Sequence, residues 1–294
     1  MAKFKIEDAL TLRAGNHFQI DSVDPASTPG FDGDKDELDA RFSKYDDELY
    51  ELQERLFANG RSYGEDAPAV LIVLQGMDTS GKGGAIRHVL STFDPQGTTT
   101  VGFGKPTEEE LAHDFLWRIR KHDPQPGQIV AFDRSHYEDV LIQRVHEWVD
   151  EEEVDRRIEA IRDYELELTA RGVKVIKVFL HLSKEAQKEN LLERTERADK
   201  YWKYDPSDVE ERAYWDDYMA AYQDAIQRTD ENYAPWYVIP TDNKKYARMA
   251  LKFLMVDVLR HLDLEWPAPD FDPEAERQRI EDADSVSYTH LTLP

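Results

Sequence analysis

Apolar residues along this chain follow two rhythms. Strand-length runs rich in apolar and β-branched residues occur at 70–74, 98–103, 128–132, 173–182 and 236–239, and predict five strands. Between them, apolar residues recur at helical spacing over about 83–92, 108–121, 137–147, 151–171, 183–197, 207–228 and 244–262. Upstream, Leu38, Phe42, Tyr45, Leu49, Leu52 and Leu56 predict a helix over 36–57. Thr107 with Glu110, and Asp208 with Glu211, have capping-box spacing. Strands that alternate with helices imply an α/β fold, a parallel sheet flanked by helices on both faces. Ligands in such folds bind beyond the carboxyl ends of the strands.

The ends of the chain break the pattern. Residues 1 to about 35 are rich in Asp, Pro, Gly and Ser and have no period, which predicts an extended arm on the surface. Neither a repeat nor a linker interrupts the strands and helices beyond it, so 1–270 reads as one domain, succeeded by an acidic segment at 271–284. Residues 285–294, SVSYTHLTLP, contain no Asp, Glu, Lys or Arg and read as a non-native or read-through tail.

Composition narrows the functional classes. At 294 residues with 40% hydrophobic positions, the chain is long enough to bury a sizeable core. No apolar run approaches the roughly 20 residues that span a bilayer, so a soluble cytoplasmic protein is expected, with no membrane partner. Zero cysteines remove disulfide, Cys-zinc and thiol chemistry. A net charge of −24, from 61 acidic and 37 basic residues, argues against non-specific binding of nucleic acid. Charge nevertheless acts locally, within about 8 Å at physiological salt. Lys82, Arg87 and Lys105 face Asp94 alone between residues 81 and 106, and Arg194, Arg197, Lys200 and Lys203 cluster further on. Such positive islands on an acidic body suit a polyanion.

The run VLIVLQGMDTSGKGGAI carries the sharpest chemistry. A strand runs into Gly76-x-x-x-x-Gly81-Lys82, the spacing of a phosphate-binding loop, and then into a helix. Gly76, Gly81, Gly83 and Gly84 let the backbone curl around phosphate, with Thr79 and Ser80 in the same loop as phosphate-binding candidates, while Lys82 and the helix start supply positive charge. Gly83 stands where Ser or Thr normally offers magnesium a hydroxyl. Asp78 lies inside the loop, where a carboxylate makes sense beside a divalent cation.

A second strand delivers Asp133 at its end, as a Walker B acid reaches the metal, and Arg134 comes next as a phosphate fork. His136, Glu138 and Asp139 on the next turn either serve the nucleotide side or make structural hydrogen bonds. Arg118 in HDFLWRIRKH either faces phosphate or snorkels to solvent. Arg194, Arg197, Lys200 and Lys203 bracket a loop between two helices, at about 194–212. That pattern fits a lid closing over phosphates, the alternative being a charged surface hairpin. Together these groups suggest phosphoryl transfer, with Asp78, Lys82, Asp133 and Arg134 at the reacting centre and Asp78 and Asp133 on the metal. An acceptor that is itself a phosphate is already ionised and needs no general base.

GMDTSGKGG, FDRSHYEDV, HDFLWRI and KYDPSDVEERAYWDDYMAAY together resemble polyphosphate kinase family 2, and the SHYEDV form looks most like its class III subgroup. The resemblance implies a thymidylate-kinase-like P-loop fold with a helical lid. It implies transfer of phosphoryl groups between inorganic polyphosphate and nucleotides (AMP, ADP and ATP, or other purine nucleotides), with Mg2+ as cofactor and Mn2+ as a substitute. It also implies a homo-oligomer, dimer or tetramer. Class III members often carry Asn where this chain has Asp133, which leaves the choice between AMP and ADP open. The runner-up is an ATP-dependent nucleoside or nucleotide kinase. A nucleotide-sensing module without turnover would lack the metal acids that this chain retains.

Overall fold

Five parallel strands form one sheet in the order β2-β3-β1-β4-β5 in the computed structural model, which describes residues 4–15 and 17–287. They are β1 (Ala69–Gln75), β2 (Thr98–Gly102), β3 (Ile129–Asp133), β4 (Val173–His181) and β5 (Trp236–Pro240). The helices are α1 (Ile6–Leu10), α2 (Lys35–Phe42), α3 (Asp46–Tyr63), α4 (Lys82–Leu90), α5 (Glu108–Leu111), α6 (Leu116–Arg120) and α7 (Ile142–Val145). They continue with α8 (Glu151–Ala170), α9 (Lys184–Glu196), α10 (Ser207–Glu211), α11 (Trp215–Thr229), α12 (Lys244–Arg260) and α13 (Pro273–Ser287). The strands fall where the apolar runs predict them. Alternate side chains divide between two cores, as a sheet covered on both faces requires. Val70, Ile72 and Leu74 pack with α1, α3, α4 and α12; Leu71 and Val73 pack with α8 and α11.

Several helices are shorter than their apolar period predicts. The 36–57 helix is broken by a 3-10 turn at Ser43–Tyr45. The 108–121 helix becomes α5 and α6, because the Asp114 side chain accepts the Leu116 N–H and restarts the chain. The Thr107–Glu110 capping box forms. The Asp208–Glu211 box does not: Pro206 precedes α10 without a side-chain cap, and Asp208 pairs with Arg194 at 2.7 Å instead.

The N-terminal segment is not an extended surface arm. It contains α1 and buries Phe4, Ile6, Ala9, Leu12, Phe18, Ile20 and Phe31. The Ala14 N–H donates to the Trp236 carbonyl at 2.9 Å and the Val238 N–H to the Leu12 carbonyl at 2.8 Å. The segment thus satisfies part of the β5 edge, which otherwise offers a row of unpaired peptide groups.

Residues 1–264 form one unit by their contacts and 265–294 a second. In the second, α13 extends through residues 285–287 of the stretch expected to be a foreign tail; 288–294 lie outside the described residues. Among the described residues no helix is long and apolar enough to cross a membrane.

Candidate active site

The sheet ends at a row of three residues. Leu74 of β1 is level with Asp133 of β3, and Asp133 is level with Gly102 of β2. Chain leaving this row makes one wall of a cleft of about 820 Å³. Gly76 has φ 151°, Thr79 67° and Gly81 98°, so the loop after β1 turns repeatedly through left-handed backbone before α4 begins. For Thr79 that conformation is costly, and it persists only where the surroundings hold it. Arg134, at the corresponding turn after β3, has φ 64°.

The cleft is lined by Asp78, Thr79, Gly81, Lys82, Gly83, Gly84, Asp133, Arg134, Arg194, Lys200 and Lys203, which the sequence singles out from separate segments. Arg134 Nη2 donates to Asp78 Oδ1 at 2.7 Å. Burial pushes the Asp78 carboxyl up, but Lys82, Arg134 and Arg194 hold it below its ordinary value. Burial opposes the charge of Arg134, yet Glu138 and Asp78 raise its pKa further. Lys82 is 8% exposed, and its Nζ donates to the carbonyls of Gly76 at 2.7 Å and Met77 at 3.3 Å. Burial lowers its pKa, while Asp78 and Asp133 work against that shift. The Thr79 hydroxyl is buried without a hydrogen-bond partner.

Other expected residues stand behind the cleft or away from it. Gly76 backs the loop, since a Cβ there would meet the Leu180 carbonyl oxygen at 2.8 Å. Ser80 is fully buried and its carbonyl accepts from Thr241. Lys105 is exposed and does not line the cleft. Arg118 is buried and donates to the Gly104 carbonyl at 2.9 Å, so it braces the β2 end of the wall. Arg197 does not line the cleft and binds Glu193 at 2.9 Å and Asp199 at 2.8 Å. His136 is fully buried against Glu165. Asp139 is buried, accepts from Gln143 and faces Arg157 at 3.6 Å; burial raises its pKa to about 6. Glu138 accepts from Gln75 at 3.0 Å and acts on the site through Arg134.

Arg87, part of the first positive island, lines the cleft, and the structure adds residues that the sequence does not single out: Phe103, Asn190, Trp202, Lys244 and Arg248. For Lys244 and Arg248 a signal existed. Both lie near the start of α12, where the helix dipole favours acids, and the first turn of α12 has none. Trp202 is 78% exposed in the turn Ala198–Lys203 after α9, where an indole with no apolar period around it leaves no pattern to read.

Eight cationic side chains line the cleft against three carboxylates, in a chain of net charge −24. They strain against one another. Burial, with Lys200, Arg248 and Arg194 nearby, lowers the pKa of Lys244; burial and Arg87 lower that of Arg248. An anion that bridges several cations at once offsets this repulsion.

Two oxygen-donor acids on this cleft and an unpartnered Thr79 hydroxyl fit magnesium, which takes one or two carboxylates and completes its shell with water and phosphate. Among the described residues no group of three His, Cys, Asp or Glu is placed to hold a metal ion.

Comparison with known proteins gives a consistent picture. The sequence model of the family described as Polyphosphate kinase 2 (PPK2) matches residues 34–265. The AMP/ADP-polyphosphate phosphotransferase of Meiothermus ruber is 40% identical over 259 residues, which cover 88% of this chain and 95% of that protein. The ADP-polyphosphate phosphotransferase of Rhodopseudomonas palustris is 40% identical over 231 residues, covering 74% and 78%. The crystal structure of polyphosphate kinase 2 from Arthrobacter aurescens TC1 superposes with a TM-score of 0.91 at 47% identity, covering 96% of this chain and 98% of that one.

Proposed function

The chain belongs to the polyphosphate kinase 2 family, whose members transfer phosphoryl groups between inorganic polyphosphate and nucleotides, and from that premise we propose how its cleft performs the transfer. The observation that carries the reading is the set of eight cations around one cleft, some lowering one another's pKa until an anion arrives.

The loop from Gly76 to Lys82 cradles the transferring phosphate, and Lys82 offsets charge on its oxygens. Arg134 is fixed by Asp78 at 2.7 Å and presents the rest of its guanidinium to phosphate. Asp78 and Asp133 would hold magnesium. The ion supplies charge neutralisation on the phosphate oxygens. An ionised oxygen of the nucleotide's terminal phosphate forms the new P–O bond, and the bond to the rest of the polyphosphate breaks. The polyphosphate is left one unit shorter, and no proton has to be removed from the acceptor. Arg194, Lys200 and Lys203 on the lid hold the departing chain, and closure excludes water.

AMP and ADP are both acceptors on this reading, as the name of the Meiothermus relative suggests. The protein works in the cytoplasm as a homo-oligomer, dimer or tetramer. The deciding assay combines purified protein, magnesium and polyphosphate with AMP, ADP, GMP or GDP in turn, and resolves the products by chromatography. Light scattering on the same sample gives the oligomer number. If ATP supports phosphorylation of nucleotides and polyphosphate never does, an ATP-dependent kinase replaces this reading.

A further inference from the structure

The lid and the phosphate-binding loop meet at one buried amide. Gln187 lies near the start of α9, the helix that carries Arg194 to the lid, and is 1% exposed. Its Nε2 donates to the backbone carbonyl of Asp78 at 3.2 Å. Its Oε1 accepts from Arg212 Nη1 at 2.9 Å. Arg212 opens the turn Arg212–Tyr214, where the chain leaves the lid, and it also donates to the Lys184 carbonyl at 2.5 Å. One helical turn further on, Asn190 donates to the Thr79 carbonyl at 3.4 Å and accepts from Lys244.

In a trans peptide the C=O and N–H point in opposite directions. Holding the Asp78 carbonyl toward α9 therefore also sets the direction of the Thr79 N–H. That direction matters because Thr79 is held at φ 67°, a state its own backbone does not favour. A primary amide is planar, so a shift of Arg212 at one end is felt at the Asp78 carbonyl at the other.

We propose that Gln187 is a positioning residue: it holds the Asp78–Thr79 peptide in the geometry that receives phosphate and, through Arg212, ties that geometry to the position of the lid. The proposal rests on the reading that this cleft is the catalytic site. A residue that merely fills space would affect stability without separating kcat from KM.

The test is steady-state kinetics of the full chain with polyphosphate, magnesium and ADP, for Gln187→Leu, Gln187→Glu, Arg212→Met and the double variant Gln187→Leu/Arg212→Met. Gln187→Glu keeps an acceptor for Arg212 and loses the donor to Asp78. In both Gln187 variants kcat should fall about tenfold, the factor one buried hydrogen bond is worth, with KM for polyphosphate within about twofold of the parent. The double variant should be no worse than Gln187→Leu alone, because the two residues act as one unit. Wild-type kcat in Gln187→Glu, or full additivity in the double variant, overturns the proposal. If the Gln187 variants do not fold, Arg212→Met decides alone: a lower kcat at unchanged KM supports the coupling, and an unchanged kcat sinks it. Lys82→Ala tests the site separately. Undiminished turnover there removes the cleft as the catalytic site, whereas failure at Gln187 with an inactive Lys82→Ala leaves that site standing.

Discussion

The Cβ that Gly83 lacks would lie 3.3 Å from Oδ2 of Asp133. The carboxylate therefore crowds the position from which Ser or Thr in other phosphate-binding loops projects a hydroxyl. Glycine at 83 thus leaves room for the Asp133 carboxylate, which a side chain at that position would displace. Gly83→Ser should push Asp133 aside by a few tenths of an ångström or more, and the magnesium concentration for half-maximal turnover should rise severalfold. Gly83→Ala should do the same without adding a hydroxyl. Initial rates across a magnesium titration check this. A Gly83→Ser variant that needs less magnesium would mean that the hydroxyl substitutes for Asp133 rather than competing with it.

Lys82→Ala should lower kcat by a factor on the order of 10²–10³, by analogy with the loss of one preorganised electrostatic donor. Its effect on stability should run the other way. Burial lowers the pKa of Lys82, so the charged ammonium is held in the fold at a cost that alanine does not carry. Thermal unfolding of the free variant should occur no lower than in the parent. A large loss of melting temperature would place Lys82 among structural residues and leave the drop in rate unexplained.

The strands and the loop were legible because each is a local signal. VLIVL needs only its own apolar run, and Gly76-x-x-x-x-Gly81-Lys82 needs only its spacing. The N-terminal segment was misread because Phe4, Ile6 and Ala9 are buried by α12 and its neighbours, far away in sequence, while Asp, Pro and Gly dominate locally. Arg118 and Arg197 failed differently. Their charge is visible in the sequence, but not the partner each chooses, the Gly104 carbonyl for one and Glu193 with Asp199 for the other. Lys244 and Arg248 carry a local signal in the acid-free start of α12, but that this helix start faces the cleft depends on the strand order β2-β3-β1-β4-β5.

Arg248→Met should raise the melting temperature of the free protein and shrink the rise produced by tripolyphosphate. Burial and Arg87 hold the Arg248 pKa below its ordinary value, so its charge opposes folding until an anion binds. A ligand that binds the folded state stabilises it by mass action, and the increment falls when affinity falls. Melting curves with and without tripolyphosphate, at two salt concentrations, give both signs. An unchanged tripolyphosphate shift would remove Arg248 from the anion path.

Asp139 should give the stability profile a dependence on pH in a defined window. Burial raises its pKa from 3.8 to about 6 in the fold, so between those values the folded state binds more protons than the unfolded one. Its contribution to stability is therefore largest below the lower value, declines as pH rises through the window, and levels off above about pH 6. Asp139→Asn cannot titrate. The melting temperature of the parent minus that of the variant should fall from about pH 4 to about pH 6 and then flatten. A difference that rises with pH would show that the Arg157 pair, at 3.6 Å, outweighs the burial of the carboxylate.

The lid cations divide into two kinds. Arg194, Lys200 and Lys203 line the cleft; Arg197 does not, and pairs with Glu193, which Lys200 shares, and with Asp199. Neutralising pairs drawn from the first three, such as Lys200→Gln with Lys203→Gln, should raise KM for polyphosphate and flatten its dependence on salt, because those contacts are screened charge pairs. Arg197→Gln should leave both unchanged. Arg194 needs separate treatment, since it also donates to Asp208 at 2.7 Å and to the Lys203 carbonyl at 2.8 Å. Removing it should loosen the lid as well as weaken the grip on polyphosphate, lowering kcat and raising KM together. The measurement is KM for polyphosphate at three ionic strengths for each variant. Equal effects from Arg197 and from the Lys200–Lys203 pair would mean that the lid acts through its overall charge, and that the particular side chains facing the cleft do not define the polyphosphate path.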